Sequence, residues 1–193
     1  MANARNSIFR FSELMPRPWP NGCGVTRDVA AKTSGSGSRD WLISIAELVE
    51  DAEFSHYEGC NRILTLVGEN PIDLHIGELL PLRCNPLVPV CFPGDRPTRC
   101  TLVGEPSRAF NVIFNRESMQ GTVSTVVIAN NHDVTVPHCS AAVHCVAGTV
   151  MVQGELLRPG DTLVEPRDRL LRTSEMSATL LVVNLRKSSG NSQ

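Results

Sequence analysis

Several side chains of this 193-residue chain could hold a small anion. The segment Asn21-Gly22-Cys23-Gly24 places small, flexible residues beside an amide, and such a loop lets backbone N–H groups approach an anion closely. Arg27 and Arg62 each follow a glycine-containing loop, and an arginine fork binds a carboxylate through two parallel hydrogen bonds. These residues suggest carboxylate recognition. The alternatives are a plain turn and structural ion pairs of the two arginines with Glu47 or Asp28.

Four further polar side chains interrupt apolar runs. Ser44 and Glu47 lie in the run that begins at Trp41, and Asn111 and Arg116 interrupt a second run. A polar group that is buried in such a run must find a hydrogen-bond partner. Either a ligand or another protein group can supply that partner, so both interpretations stay open here.

The elements that position these side chains are predicted to be β-strands. The chain holds 14 Gly and 13 Pro, spread along its length, and they separate short apolar, β-branched runs. This pattern is typical of an all-β sandwich or barrel. We also expect a strand through Ala46-Glu47-Leu48, a flexible hairpin tip over 33–38 and a flexible tail over 187–193.

A weak internal repeat indicates how the strands are organised. In each half, an apolar strand ends at a glycine, another strand follows, and a Pro-Gly-Asp turn comes later, at Pro93-Gly94-Asp95 and at Pro159-Gly160-Asp161. This arrangement is typical of a cupin half-barrel. We therefore expect one two-cupin domain over 1–186, an RmlC-like jelly-roll barrel with halves of about 1–117 and 118–186.

Composition excludes several classes of protein. With 18 Lys+Arg against 20 Asp+Glu, the net charge is −2, and no basic stripe suggests a nucleic-acid partner. No apolar run reaches the roughly 18 residues of a membrane span, and the first residues lack the apolar region of a secretory signal. The seven cysteines are an odd number without a C-x-x-C pair, which favours a reducing, cytoplasmic compartment.

Four motifs in order carry a family resemblance. They are WPNGCGVTR at 19–27, WLISIAE at 41–47, FSHYEGCNR at 54–62 and AFNVIFNR at 109–116. In this order and spacing they resemble the HutD/Ves family of cupin-like proteins, and the resemblance covers residues 15–165. That family typically shows W-[KR]-N-G-G-G-x-T-R, W-R-x-S-I-A, F-S-x-F-P-G-x-D-R and D-x-N-x-M-x-R.

The resemblance implies a two-cupin barrel without a metal or other cofactor. It also implies a small-molecule-binding or regulatory protein of histidine utilisation rather than one of the pathway's enzymes. The expected ligand is a small carboxylated metabolite, urocanate or a formylglutamate-like acid, for which arginines are suitable partners. With the polar residues above, the motifs give a candidate ligand-binding set of Asn21, Gly22, Thr26, Arg27, Ser44, Glu47, Arg62, Asn111 and Arg116.

The departures of the chain from the family pattern include four motif positions. Pro20 stands for the basic residue, Cys23 for the middle glycine, Asn61 for one aspartate and Ala109 for another. One cation and two carboxylates of the family pattern are therefore missing from this chain. Its ligand need not be the same as that of family members that retain the full pattern. The change at Asn61 suggests that Arg62 has lost a local counter-ion.

The sequence is also compatible with two other functions and with assembly into a dimer. One is a small cupin enzyme, an isomerase or hydrolase of a carboxylated substrate, with Glu47 or a histidine as acid–base group. Another is a degenerate homologue whose pocket has lost its ligand. No G-x-S-x-G, G-x-G-x-x-G or Walker A motif occurs. A homodimer is considered as the assembly.

We expect no stoichiometric Zn, Fe, Mn or Ni in protein purified without chelator or added metal. The five histidines include no H-x-H pair, and a metal site needs three or four ligands. Elemental analysis checks this expectation. About one equivalent of metal would contradict it, and His138 and His144 would then be the first ligands to test.

Overall fold

The computed structural model describes residues 7–35, 37–129, 132–152, 154–166, 169–173 and 176–188. These residues form β-strands with one short 3-10 turn at Phe11–Glu13, which confirms the all-β prediction. None of the described segments forms a helix with the length and hydropathy that a membrane crossing requires. All seven cysteines are free thiols.

The strands are numbered here in chain order. Through residue 115 they are β1 (Ser7–Phe9), β2 (Arg17–Pro18), β3 (Gly24–Thr33), β4 (Arg39–Leu48), β5 (Ala52–Glu53), β6 (Cys60–Leu66), β7 (Ile72–Ile76), β8 (Leu82–Cys84), β9 (Val90–Pro93), β10 (Thr98–Leu102) and β11 (Ser107–Asn115). The others are β12 (Met119–Ala129), β13 (Asp133–Thr135), β14 (Ser140–Ala147), β15 (Val150–Val152), β16 (Glu155–Leu157), β17 (Thr162–Val164), β18 (Leu170–Thr173) and β19 (Ser177–Lys187).

One compact unit, formed mainly by Met15–Gln120, holds two antiparallel sheets. The six-stranded sheet has the order β2-β3-β4-β11-β6-β9, and the four-stranded sheet has the order β5-β10-β7-β8. Ala46, Leu64 and Leu66 of the first sheet pack with Ile72 and Leu74 of the second in one buried cluster. Alternating side chains of both sheets therefore build the core of this unit.

A second compact unit combines the described residues up to Leu14 with Gly121–Arg186. Its sheets have the orders β1-β17-β14-β19-β12 and β13-β18-β15-β16. Strand β1 pairs antiparallel with β17, so the start of the chain completes a sheet of the C-terminal half. Val143, Cys145 and Leu163 pack with Val150 and Leu171 in the core of this unit.

Within the described residues each unit is a pair of open sheets, and no closed ring of strands is found. The single domain over 1–186 with halves of 1–117 and 118–186 stays a prediction. The predicted hairpin tip connects β3 to β4, where the Ser34 amide donates to the Ser38 carbonyl at 2.8 Å. Ser36 and residues 189–193 of the predicted tail lie outside the described residues.

The two Pro-Gly-Asp turns have the same role in their units. The Gly94 amide donates to the Cys60 carbonyl, and the Gly160 amide donates to the Cys145 carbonyl, both at 2.8 Å. Asp95 pairs with Arg116, and Asp161 pairs with Arg10. The repeated sequence motif therefore corresponds to a repeated contact in which the aspartate binds an arginine from a distant segment.

The Asp161 carboxylate attaches the start of the chain to its unit. It accepts hydrogen bonds from Arg10 Nη1 at 2.7 Å, from the Phe11 amide at 3.2 Å and from the Arg158 amide at 3.1 Å. Asp161 itself is only 5% exposed. Without this carboxylate, two backbone amides and the Arg10 guanidinium would each lose an acceptor, and the guanidinium would retain the Leu156 carbonyl and Glu155.

We expect Asp161→Ala to lower the free energy of unfolding by about 2–3 kcal/mol, because hydrogen bonds to charged groups are worth about 1.5–3 kcal/mol each and the contacts are not additive. Urea unfolding at pH 7 measures this change. Asp133→Ala is the matched control, since Asp133 forms an exposed pair with Arg172 at 3.2 Å and its removal should cost less than about 1 kcal/mol. Equal effects of the two substitutions would contradict the role given to Asp161.

Candidate anion-binding site

The register of the six-stranded sheet brings four predicted site residues to one face. Ser44 of β4 lies opposite Asn111 of β11, Ala46 lies opposite Thr26 of β3, and Arg62 of β6 lies opposite Ile113 of β11. Because side chains alternate along a strand, Thr26, Ser44, Asn111 and Arg62 all project from the same face. They line one cavity of this unit.

Arg62 is a buried cation held by an amide and two rings. Its side chain is 6% exposed, and its Nε and Nη2 atoms donate to Asn111 Oδ1 at 3.0 and 2.8 Å. The guanidinium carbon lies 4.1 Å from the ring centre of Phe54 and 5.9 Å from that of Phe92. Asn111 is 1% exposed, so it cannot turn toward water to leave this contact.

No carboxylate among the described residues forms an ion pair with Arg62. Burial lowers the pKa of its guanidinium to about 10, against smaller opposing effects of Tyr57 and Cys100. The group is therefore still cationic at neutral pH. A buried cation without a carboxylate carries an unbalanced desolvation cost, and an anion that enters the cavity would reduce it.

The cavity has an inner part and an outer part. The inner part, about 40 Å³, reaches Arg62, Asn111 and Ser44, and the outer groove, about 550 Å³, reaches Asn21 and Pro20. Both are lined by Trp19, Thr26, Glu53, Ser55 and Tyr57, so the inner cavity and the outer groove are neighbours that share these walls. The inner volume suits a carboxylate group, with the rest of a ligand in the groove.

Trp19 forms one wall of the inner cavity. Its Nε1 donates to Thr26 Oγ1 at 2.7 Å, and its ring meets Phe54 edge to face at 6.4 Å. A Cβ atom at Gly24 would lie 2.6 Å from the Glu47 carbonyl oxygen and 3.0 Å from the Trp19 ring. Gly24 is therefore needed for the close approach of this wall to the sheet.

The backbone N–H groups of the loop before Gly24 form hydrogen bonds within the loop itself. The Gly22 amide donates to the Trp19 carbonyl at 3.0 Å, and the Cys23 amide donates to Asn21 Oδ1 at 3.1 Å. Gly22 has a φ of +75°, which suits glycine in such a turn. Because these two N–H groups form hydrogen bonds within the loop, they are not available to an anion. The loop therefore lines the groove around Asn21 but does not bind an anion through these amides.

Arg27 and Glu47 occupy the opposite face of the same sheet. Arg27 Nη1 lies 2.9 Å from Glu47 Oε2, and Arg108 Nη2 lies 3.2 Å from Glu47 Oε1. This matches the structural ion pair that the sequence left open for Arg27. Glu47 lines a separate groove, of about 330 Å³, beside Arg108 and does not share the cavity of Arg62.

Arg116 also lies outside the cavity. It follows β11, donates to the Cys60 carbonyl at 2.7 Å and pairs with Asp95. The hydrogen bond from Arg116 lowers the pKa of the Asp95 carboxyl group below its ordinary value. Arg116 therefore fixes the first Pro-Gly-Asp turn to the start of β6.

The suggestion that Arg62 lost its counter-ion through the change at Asn61 is wrong, because the two side chains lie on different faces. Asn61 and Arg62 are neighbours on β6, where Asn61 lies opposite Phe114 and Arg62 lies opposite Ile113. Their side chains therefore project from opposite faces of the sheet. An aspartate at position 61 would not face the guanidinium, so its replacement does not account for the missing counter-ion.

Seven lining residues of the cavity were not assigned to the site from the sequence: Trp19, Ala46, Glu53, Phe54, Ser55, Tyr57 and Ile113. All of them except Glu53 fall within the four motifs that carry the family resemblance, which is the signal that could have indicated them. Glu53 lies just before the third of these motifs, at the end of β5. No pattern in the sequence separates it from the other surface glutamates.

The donor set does not fit a cupin metal site. No group of three or more His, Cys, Asp or Glu side chains that could hold an ion is found among the described residues. His144 Nδ1 lies 2.9 Å from Thr162 Oγ1 on β17, and His138 is exposed. The absence of metal in purified protein stays a prediction.

Comparison with known proteins identifies the family. The sequence model of the HutD family matches residues 12–184. The chain belongs to the HutD family. An uncharacterised 21.2 kDa protein of the hutC 3′ region of Pseudomonas putida is 32% identical over 112 residues, which are 55% of this chain and 57% of that protein. The chain thus spans less than two thirds of this curated relative.

Solved structures agree with this family. HutD from Pseudomonas fluorescens SBW25, in a formate condition, superimposes with a TM-score of 0.78 at 26% identity and covers 96% of this chain and 100% of its own. A cupin 2 conserved barrel domain protein from Leptotrichia buccalis has a TM-score of 0.60 at 12% identity, over 96% of this chain and 100% of its own. The second similarity concerns the fold alone, which is cupin-like.

We expect Arg62→Met/Asn111→Leu to be at least as stable as the unmodified protein without ligand. The double substitution removes a buried cation together with its acceptor, and replacing both partners by apolar groups is neutral or stabilising. Arg62→Met alone should lower the free energy of unfolding by about 1–3 kcal/mol, because Asn111 Oδ1 loses its donor. Thermal and urea unfolding measure both changes. A double variant that is less stable than the unmodified protein would show that the Arg62–Asn111 pair has a structural role.

Proposed function

We propose that this HutD-family protein binds a small carboxylated metabolite and that Arg62 holds the carboxylate. The observation that carries the proposal is the buried Arg62 guanidinium, which faces a cavity and has no carboxylate partner among the described residues. A cation in this state is a ready site for an anion of the right size. The proposed ligands are urocanate or a formylglutamate-like acid.

The hydrogen-bonding groups of the inner cavity support a carboxylate. A guanidinium has five N–H donors, and the contact with Asn111 uses one on Nε and one on Nη2. The others have no acceptor among the described residues, and neither does the hydroxyl of Ser44, which is 4% exposed. A carboxylate has two oxygen atoms and can accept from both residues.

The proposal also covers the location of the protein in the cell, its regulatory role and its architecture. We place the protein in the cytoplasm, as a regulatory binding factor of histidine utilisation. The HutD family model and the relative from the hutC 3′ region of Pseudomonas putida support that link. We also propose a two-cupin architecture, which the two similar pairs of sheets and the repeated Pro-Gly-Asp turns support.

The enzyme alternative has less support from the cavity. Its proposed acid–base group, Glu47, is bound by Arg27 and Arg108 on the other face of the sheet. The polar side chains that line the inner cavity with Arg62 are those of Asn111, Ser44, Thr26, Ser55 and Tyr57, and the exposed carboxylate of Glu53 lies at its mouth. A hydrolase or isomerase would need a positioned acid or base beside the bound acid.

We expect Arg62→Met to weaken the binding of urocanate or N-formylglutamate by about 10- to 150-fold, which corresponds to about 1.5–3 kcal/mol for hydrogen bonds to a charged group. Isothermal titration and ligand-dependent thermal shifts measure the affinity. The affinity for N-formylglutamate should hold from pH 6 to 9 and fall as the pH rises through about 10, where the guanidinium loses its proton.

The matched control is Arg83→Met, because Arg83 is an exposed arginine that pairs with Asp73 on the other sheet at 2.6 Å. This control should bind the acids as the unmodified protein does. If no carboxylic acid shifts the melting temperature of the unmodified protein, or if Arg62→Met binds as tightly as Arg83→Met, the proposed function is wrong.

A further inference from the structure

Glu53 places a carboxylate at the mouth of the Arg62 cavity. Its side chain is exposed and lines both the inner cavity and the outer groove. No hydrogen bond or ion pair joins the Glu53 carboxylate to any described residue. The site therefore has an unpaired cation at its inner end and an unpaired carboxylate at its entrance.

The third charged residue of these walls is already neutralised. Arg17 lines the outer groove, and its Nη2 atom lies 3.1 Å from Asp28 Oδ1 and 3.0 Å from Asp28 Oδ2. A second carboxylate of a ligand would compete with Asp28 for this cation. Glu53 is thus the charged residue of the groove that has no partner among the described residues, and it adds a negative charge where the distal part of a ligand would lie.

The backbone holds Glu53 in a fixed relation to the cation. Strand β5 pairs with β10, where Glu53 lies opposite Arg99, and the next amide, of Phe54, donates to the Thr98 carbonyl at 2.8 Å. The Phe54 ring covers the Arg62 guanidinium at 4.1 Å. Arg99 itself contacts Asp51 at 3.5 Å, which leaves the Glu53 carboxylate to the groove.

We propose that Glu53 is a specificity-determining residue that selects monocarboxylates carrying a cationic or N–H-donating nitrogen at their distal end. This inference rests on the proposed function, because it takes the carboxylate of the ligand to be bound at Arg62. A nitrogen group meets an oppositely charged acceptor in the groove, whereas a second carboxylate meets a like charge. Among the proposed ligands this favours urocanate, with its imidazole N–H, over formylglutamate, with its second carboxylate.

Three matched probe acids test the selection. They have the form carboxylate–(CH2)n–X, where X is an ammonium, a methyl or a carboxylate group, so that 4-aminobutanoate, pentanoate and glutarate form the set with n of three. Sets with two, three and four methylene groups cover different distances between the two ends. Dissociation constants come from ligand-observed NMR titration of the whole protein, with the unmodified chain, Glu53→Gln and Glu78→Gln compared at low salt.

At the chain length that binds most tightly, we expect the unmodified protein to prefer the amino acid over the alkyl acid by about three- to fivefold, as for an exposed ion pair. The dicarboxylate should bind more weakly than the alkyl acid. Glu53→Gln should abolish both differences and leave the alkyl acid unchanged. Glu78→Gln makes the same change of charge at an exposed residue outside the cavity, and it should retain the preference.

The selection is overturned if the unmodified protein binds the dicarboxylate most tightly, or if Glu53→Gln keeps the same order of probes as Glu78→Gln. In those outcomes a loss of binding in Arg62→Met would still support the carboxylate site. The proposed function would then be retained, and the role of Glu53 in selectivity would be rejected. If none of the acids binds, or if all bind equally to Arg62→Met, both proposals fail.

Discussion

The burial of the Arg62 guanidinium is the constraint on which the site depends. A cation in a low-dielectric interior is costly unless other groups replace its water. Here one amide oxygen and the faces of two phenylalanines do so, and the nearest of these rings lies 4.1 Å away. An amide oxygen carries only a partial charge, so the replacement is incomplete. The remaining electrostatic demand is the basis of the proposal that the cavity binds an anion.

The rest of the unit keeps this arrangement in place. Asn111 can hold the guanidinium only because β11 lies between β4 and β6, in the register that sets Asn111 beside Ser44 and near Arg62. The Phe54 ring is fixed from the other sheet through the hydrogen bond of its amide to Thr98. Trp19 closes the cavity from the first loop. The site thus uses both sheets of one unit, and a shift of one register position would move Asn111 to the other face.

The sequence was sufficient for part of this site. The density of turn residues predicted the strands, and the motifs indicated Thr26, Ser44, Arg62 and Asn111, which line one cavity. Alternation along a strand could have separated the other candidates, since Thr26 and Arg27 are neighbours and Ser44 and Glu47 differ by three positions. The pairing of strands that are far apart in the sequence could not be predicted from alternation within a single strand. Strand β1 joins β17, and β5 brings Glu53 to the groove, and both contacts depend on residues far apart in the chain.

Of the departures from the family pattern, the one at Ala109 lies on the same face of the sheet as Arg62. Ala109 precedes Asn111 by two positions on β11, so its side chain projects from the same face, and it is fully buried in the core cluster. An aspartate at this position would bring a carboxylate to the face that holds the guanidinium. The side chain of Asn61 projects from the opposite face and has no such effect. Since alanine supplies no charge, the cation of Arg62 is balanced within the described residues only by Asn111 and the two rings, and a ligand carboxylate would complete the balance.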